Sequence, residues 1–193
     1  MKAVALMASP RRGGVIDSMT DAALEVLRGA GCETVKHDLY RLEIGPCMAC
    51  YACMKGDPCP VGDDVSGILA DMEEADVIVM GSPTYWSSVP APAKALFDRC
   101  MAYFEVGKLG PKRGKPKPSR VLLMTACLCP SPFDRLGGIS SGCMRSMKAF
   151  FRPTRARITR VTAAGTSGSP EDRDRAVAKA TRAARRIAGS LKG

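Results

Sequence analysis

Short apolar runs of strand length alternate with helix-patterned segments along this chain, and that alternation leaves few folds open to it. Lys2 to Ala8 (KAVALMA) is an apolar strand ending in a loop. From Asp17 to Gly29 the apolar residues Met19, Ala22, Ala23, Val26 and Leu27 recur at helical spacing. Glu33 to Leu39 reads as a second strand. Val65, Ile68, Leu69, Met72 and Ala75 mark the next helix, with Asp63 or Asp64 as its N-cap. Asp76 to Gly81 (DVIVMG) reads as a buried strand, and Ala93 to Phe104 as a helix entered through Pro90 and Pro92. Arg120 to Ala126 (RVLLMTA) is a fourth strand, Gly142 to Phe151 a helix, and Ala156 to Thr162 a fifth strand. The last helix starts with Ser169 as N-cap, Pro170 at its first position and Asp172 three residues after the cap. Val177, Ala180, Ala184, Ile187 and Leu191 give it one apolar face. Five strands separated by helices imply an α/β fold with a parallel sheet covered on both sides. Right-handed crossovers then leave few strand orders. Ligands in such sheets bind beyond the carboxyl ends of the strands, at the switch point. Three loops meet that condition: those after Ala8, after Gly81 and after Ala126.

The 193 residues suit a single domain, 1–193, with a cysteine-rich loop at 45–62. A hydrophobic content of 46% excludes wholesale disorder. The longest apolar runs, such as Val77 to Met80, fall well short of the roughly 20 residues that cross a membrane. The N-terminal run is too short for a signal-peptide core, so a cytoplasmic location is expected and no membrane partner. The net charge is +10, with the excess at Lys108 to Arg120, at Arg152, Arg155, Arg157 and Arg160, and at Arg173 to Lys192. No aromatic residues interleave with these charges, so they read as a solvated loop and a solvated helix face, and no nucleic-acid partner is expected. A basic nucleic-acid-binding module is the distant alternative. Gly107 to Ser119, rich in Gly, Pro and Lys, is expected to be an exposed loop.

After the first strand stands Ser9-Pro10-Arg11-Arg12-Gly13-Gly14, followed by a helix. Hydroxyl groups, backbone N–H donors and the positive end of a helix dipole converge there, which suits a phosphate. Arg11 adds a charge-assisted hydrogen bond, and Asp17 or Ser18 would cap the helix. The loop lacks the Gly-Lys-Ser/Thr of a P-loop and the G-x-G-x-x-G of a dinucleotide loop, so a mononucleotide fits better. The loop after the third strand, Gly81-Ser82-Pro83-Thr84-Tyr85-Trp86-Ser87-Ser88, holds the only tryptophan. Flat side chains and hydroxyls at the mouth of a sheet suit a flat ring with polar edges.

Taken with Lys94-Ala95-Leu96-Phe97-Asp98-Arg99, these segments resemble the flavodoxin-like NAD(P)H-dependent FMN reductases and the iron–sulfur flavoproteins. The resemblance implies a flavodoxin-like three-layer, doubly wound, five-stranded parallel sheet. It implies that Ser9, Arg11 and Ser18 bind the FMN phosphate and that Pro83, Thr84, Tyr85 and Trp86 border the flavin. The turn after Thr125-Ala126-Cys127 would cover the far edge of the ring. Family members often carry Asn-Thr after the glycine pair; Val15-Ile16 stand there, so the capping role passes to Asp17 and Ser18. It also implies a homodimer or a dimer of dimers, with Trp86 and Tyr85 facing the partner subunit.

Nine cysteines in a chain with a full core point to metal, cluster or redox chemistry. Cys47, Cys50, Cys53 and Cys59 form C-x2-C-x2-C-x5-C, a run that can wrap one compact inorganic centre. Zinc usually takes two separated cysteine pairs, and this run lacks the separation. The spacing resembles the motif that holds a 4Fe–4S cluster in the iron–sulfur flavoproteins. Gly56, Cys59, Asp63 and Asp64 also match flavin reductases of the group described as cluster-free, and a redox dithiol is a third option. Cys127 and Cys129 are expected on the flavin side of the sheet; Cys32, Cys100 and Cys143 read as buried apolar residues. His37, the only histidine, ends the second strand away from the site, so a histidine-based dyad is not expected. Flavin chemistry needs no protein nucleophile, because the ring itself accepts and returns the hydride. The functions implied are an FMN-dependent oxidoreductase or an FMN plus 4Fe–4S electron-transfer protein without a small substrate. The first would pass reducing equivalents from NAD(P)H or reduced ferredoxin to a quinone, another flavin or an oxidant.

Overall fold

Five parallel strands pair in the order β2 (Glu33–Asp38), β1 (Lys2–Met7), β3 (Val77–Pro83), β4 (Arg120–Cys127) and β5 (Arg157–Ala164). The computed structural model describes residues 1–100 and 118–191. Seven α-helices connect and flank the strands among these residues: α1 (Val15–Gly29), α2 (Ala52–Lys55), α3 (Val65–Glu74), α4 (Ala91–Arg99), α5 (Phe133–Leu136), α6 (Ile139–Phe151) and α7 (Pro170–Gly189).

Side chains alternate across each strand, so one set of apolar residues serves each face of the sheet. Val4, Leu6, Ile78, Met80, Val121 and Leu123 pack with α3, α4 and α6. Ala3, Ala5, Met7, Val79, Leu122 and Met124 pack with α1 and α7. Three layers result, and β1 and β3 meet at the switch point, with the chain leaving them for opposite edges of the sheet. The architecture is the flavodoxin-like, doubly wound sheet that the alternation of segments and the family motifs imply. Cys32, Cys100 and Cys143 are buried, as their positions beside apolar patterns predict.

The helix starts are where structure and pattern part. Ser169 caps α7 as expected, its Oγ accepting from the Asp172 N–H at 3.2 Å. The cap of α1 is Gly14, without a side-chain bond, and the helix starts two residues before Asp17. Asp17 and Ser18 therefore lie in its first turn and do not cap it. Gly13, at φ +66°, makes the sharp entry that a side chain resists. The Asp17 carboxylate turns back to accept from Gly13 N–H at 2.7 Å. Helix α6 starts three residues early because Asp134, upstream of the helix, accepts from both the N–H and the hydroxyl of Ser140, at 2.7 and 2.6 Å. The stretch Met101 to Phe104 of the helix expected at Ala93 to Phe104, and Gly107 to Lys117 of the expected basic loop, lie outside the described residues. Among the described residues no helix is long and apolar enough to cross a membrane.

Candidate functional site

Beyond the carboxyl ends of β1, β3 and β4 lies a cavity of about 580 Å³, within the range that holds small-molecule cofactors. The loop after β1 forms one end. Ser9 is buried, and its Oγ accepts from the Arg11 N–H at 3.3 Å. Gly14 N–H reaches the Arg11 carbonyl at 3.3 Å, closing a tight turn whose next residues are the first of α1. The unpaired N–H groups at that helix start give this end of the cavity a positive potential. Arg11, exposed on the wall, adds a full charge.

Pro83, Thr84 and Tyr85 make the opposite wall. Thr84 N–H extends the ladder to the Ala126 carbonyl at 2.9 Å, and the Thr84 and Thr125 hydroxyls share a hydrogen bond of 2.9 Å. Thr125 is buried beneath the wall and holds Thr84 in place. Tyr85 and Ser88 exchange backbone hydrogen bonds at 3.0 and 2.9 Å, so residues 85–88 form a tight reverse turn. Trp86 and Ser87 at its tip have φ of +50° and +56°, a conformation that costs non-glycine residues on the order of 1 kcal/mol or more each. The turn keeps Tyr85 against the cavity and throws Trp86 out into solvent, where its side chain is fully exposed.

Ala126, Cys127 and Leu128 supply the third side. Burial pushes the Cys127 thiol up to about 11, with the Asp134 carboxylate adding to the effect. A fourth side, from Thr166, Gly168 and Arg173, was not among the expected site residues. Thr166 donates to the Cys127 carbonyl from both N–H and hydroxyl, at 3.0 and 3.1 Å, which laces the β5–α7 loop to the β4 loop. Arg173 Nη1 lies 3.5 Å from the Gly13 carbonyl and brings a further cation to the Arg11 end. The β4–β5 pairing was the available signal: a strand next to β4 ends its loop beside the β4 loop.

Of the residues singled out in the sequence, Ser9, Arg11, Pro83, Thr84, Tyr85 and Cys127 line this cavity. Asp17, Ser18, Trp86 and Thr125 do not. Asp17 is buried and bonded to Lys36 Nζ at 2.6 Å, which points its charge toward β2. Burial alone would raise its pKa, but the Lys36 and Gly13 hydrogen bonds outweigh it and hold the carboxyl below its ordinary value. Ser18 Oγ bonds the Gly13 carbonyl at 3.3 Å. His37 lies away from the cavity and bonds Asp71 at 2.9 Å.

A second, smaller concavity brings together Cys47, Cys50, Cys53 and Cys59. All four are free thiols, three exposed and Cys53 half-buried. Burial raises the Cys53 thiol, and the other three cysteines add to the rise. Ala49 and Tyr51, between the cysteines, take φ of +51° and +58°, which folds the run back on itself. Among the described residues no three His, Cys, Asp or Glu side chains are drawn to a single point as a ready metal site. Number and type nevertheless suit a cluster: four soft thiol donors line one concavity, and Arg99, whose buried Nε has no acceptor, is among its lining residues.

An iron-sulfur flavoprotein of Methanosarcina thermophila is 40% identical over 99 residues, 51% of this chain and 52% of that protein. The chain thus spans about half the length of the curated relatives it matches. The NAD(P)H:quinone oxidoreductase from Methanothermobacter marburgensis superposes with a TM-score of 0.77 at 23% identity, covering 97% of this chain and 96% of that one. An FMN-dependent NADH-azoreductase from Bacillus anthracis str. Ames Ancestor, solved with FMN, gives 0.69 at 19% identity with 100% of both chains covered. At these identities the two structures establish a shared fold. Residues 1–124, well over half of the chain and including the Ser9–Gly14 loop and the Pro83–Tyr85 wall, match the model of the NADPH-dependent FMN reductases. The chain belongs to the NADPH-dependent FMN reductase family.

Proposed function

We propose that this chain is an FMN-dependent oxidoreductase that takes reducing equivalents from NAD(P)H or reduced ferredoxin and passes them to a small acceptor such as a quinone, another flavin or an oxidant. The observation that carries this reading is the single cavity with Ser9, Arg11 and the start of α1 at one end and Pro83, Thr84 and Tyr85 along its side. A phosphate at the first and a flat ring along the second match FMN in charge and shape. When bound, FMN supplies the hydride chemistry. The chain's own residues then have binding work to do. Arg11 and the loop N–H groups hold the phosphate. Thr84, fixed by Thr125, and Tyr85 orient the ring. Cys127 and Leu128 limit solvent on the far side. The exposed Trp86 supports a flavin mouth completed by a second copy, in a homodimer or a dimer of dimers, and we place the protein in the cytoplasm.

A second reading adds a 4Fe–4S cluster on Cys47, Cys50, Cys53 and Cys59 and makes the chain an electron-transfer flavoprotein. The shared concavity of the four thiols favours it. One experiment separates the two: anaerobic purification with a visible spectrum, iron and sulfide analysis, and NAD(P)H oxidation with and without a quinone. A yellow, iron-free protein that reduces quinone is the outcome of the first reading. A broad absorbance bleached by dithionite, with iron and sulfide present, is the outcome of the second. A colourless protein that binds no added FMN overturns both.

A further inference from the structure

Arg99, the last residue of α4, is the buried side chain around which the cysteine loop closes. Its guanidinium has five N–H donors. Nη1 donates to the Gly45 carbonyl at 3.2 Å and to Asp63 Oδ2 at 2.7 Å. Nη2 donates to the Val61 carbonyl at 3.2 Å and to Asp63 Oδ1 at 3.0 Å. Asp63 Oδ2 in turn accepts from Gly45 N–H at 2.8 Å. Gly45 precedes the first cysteine of the run, and Val61 and Asp63 follow the last. One ion pair therefore pins both ends of the loop, with side chains only 3% and 6% exposed. Four donors are used. The fifth, Nε–H, is buried without an acceptor, on a residue that forms part of the wall of the cysteine concavity.

A purely structural clasp needs only the two Nη groups. A buried N–H left without an acceptor is costly, and such groups are rare. We propose that Arg99 is a positioning residue for an iron–sulfur centre on Cys47, Cys50, Cys53 and Cys59: its Nη groups fix the ends of the cysteine loop and its Nε–H donates to a sulfur of that centre. This assignment rests on the cluster reading given above. Reduction adds an electron to the centre and makes its sulfurs more negative. An N–H donor to sulfur therefore favours the reduced state and raises the potential.

The test uses the full chain, reconstituted without oxygen using ferric iron, sulfide and a thiol that reduces part of the iron, and titrated with dithionite under electron paramagnetic resonance. Wild type is expected to take up about four iron and four sulfide, the content of a 4Fe–4S cluster. Arg99→Lys keeps the charge and can still pair with Asp63, but it lacks Nε–H. Its cluster should reduce with an equilibrium constant about tenfold lower, which is about 59 mV for one electron. Asp63→Asn loosens the loop but keeps Nε–H. It should hold less iron, while the potential of the clusters it retains does not fall, because losing the carboxylate favours the reduced state. Wild-type protein that takes up no iron overturns the cluster reading and this assignment with it. A clustered Arg99→Lys whose potential matches wild type overturns the assignment alone. If Arg99→Lys does not fold, pulsed paramagnetic resonance on the reduced wild-type cluster in protein labelled with [15N]arginine decides the matter. A coupled arginine nitrogen is expected, and its absence overturns the proposal.

Discussion

Gly142 of α6 lies so close to the Tyr85–Ser88 turn that a Cβ on it would run into the Ser87 carbonyl oxygen and sit 2.9 Å from the Ser87 Cβ. The contact is backbone against backbone, so neither side has a flexible end to give way. Trp86 and Ser87 already stand at positive φ, and the helix behind them is what keeps the turn seated. Gly142→Ala should push the turn toward the cavity and displace Tyr85. Overpacking of this kind costs about 1–3 kcal/mol. The expected outcome is a lower urea midpoint together with weaker FMN binding, followed by flavin fluorescence. Unchanged FMN affinity in a destabilised Gly142→Ala protein would separate the turn from the cofactor and sink the link between them.

Arg11 and Arg173 approach the Ser9–Gly14 loop from different elements, and their substitution should not cost the same. A hydrogen bond to a charged group contributes about 1.5–3 kcal/mol. Arg11→Ala should therefore weaken FMN binding by roughly ten- to a hundredfold, with a shallower dependence on salt. Riboflavin, which has no phosphate, should bind wild type and Arg11→Ala alike. Arg173 meets the loop only at 3.5 Å through the Gly13 carbonyl, so Arg173→Ala should lose less. Equal losses for FMN and riboflavin in Arg11→Ala would show that this end of the cavity does not hold a phosphate.

The three central strands, β1, β3 and β4, were readable because each is a short run with apolar side chains to both faces. Val77–Val79 and Leu122–Met124 need no partner to look buried. Helix starts were readable only where a side chain makes the cap. Ser169 does so and was predicted. Gly14 does not, and Asp17, the nearest residue that looks like a cap, is instead an acceptor inside the first turn. The cavity wall from Thr166, Gly168 and Arg173 depends on β5 lying beside β4, a pairing 39 residues apart at Thr166 and Cys127 that no local pattern encodes. The cysteine run was visible as spacing. Its closure by Arg99 and Asp63 was not, because that ion pair spans 36 residues and joins the end of α4 to the loop before α3.

Asp17 and Lys36 tie the first turn of α1 to β2, and their coupling sets a pH dependence. Burial raises the Asp17 carboxyl, and the Lys36 and Gly13 hydrogen bonds lower it by more, so its folded pKa lies below the ordinary 3.8. A carboxyl shifted in that direction binds its proton less readily in the folded state. Its contribution is complete above the unfolded value and is lost as the pH falls through the folded one. Asp17→Asn should therefore destabilise the protein most at neutral pH, by about 1–3 kcal/mol. The gap from wild type should close below about pH 4. Urea midpoints at a series of pH values check this, and a gap that widens on acidification would contradict the ion pair.

Cys127 and Cys59 carry the same thiol in opposite settings, and alkylation should tell them apart. Cys127 is 7% exposed at the end of β4, held by a bond from its Sγ to the Cys129 carbonyl at 3.4 Å. Burial first, and then the nearby Asp134 carboxylate, push its pKa up to about 11. The thiolate is the reacting form, so at pH 8 only about a thousandth of Cys127 is competent. Cys47, Cys50 and Cys59 are exposed. In cluster-free protein, iodoacetamide at pH 8 should label these three well before Cys127, as read by peptide mass spectrometry over time. Raising the pH to 10 should speed Cys127 steeply, because its thiolate fraction grows about tenfold per pH unit in that range. FMN added to saturation should slow it again, since Cys127 lines the cavity that the cofactor is proposed to fill. Equal labelling of Cys127 and Cys59 at pH 8 would contradict the burial of Cys127. Labelling of Cys127 at pH 10 that ignores FMN would place the flavin elsewhere.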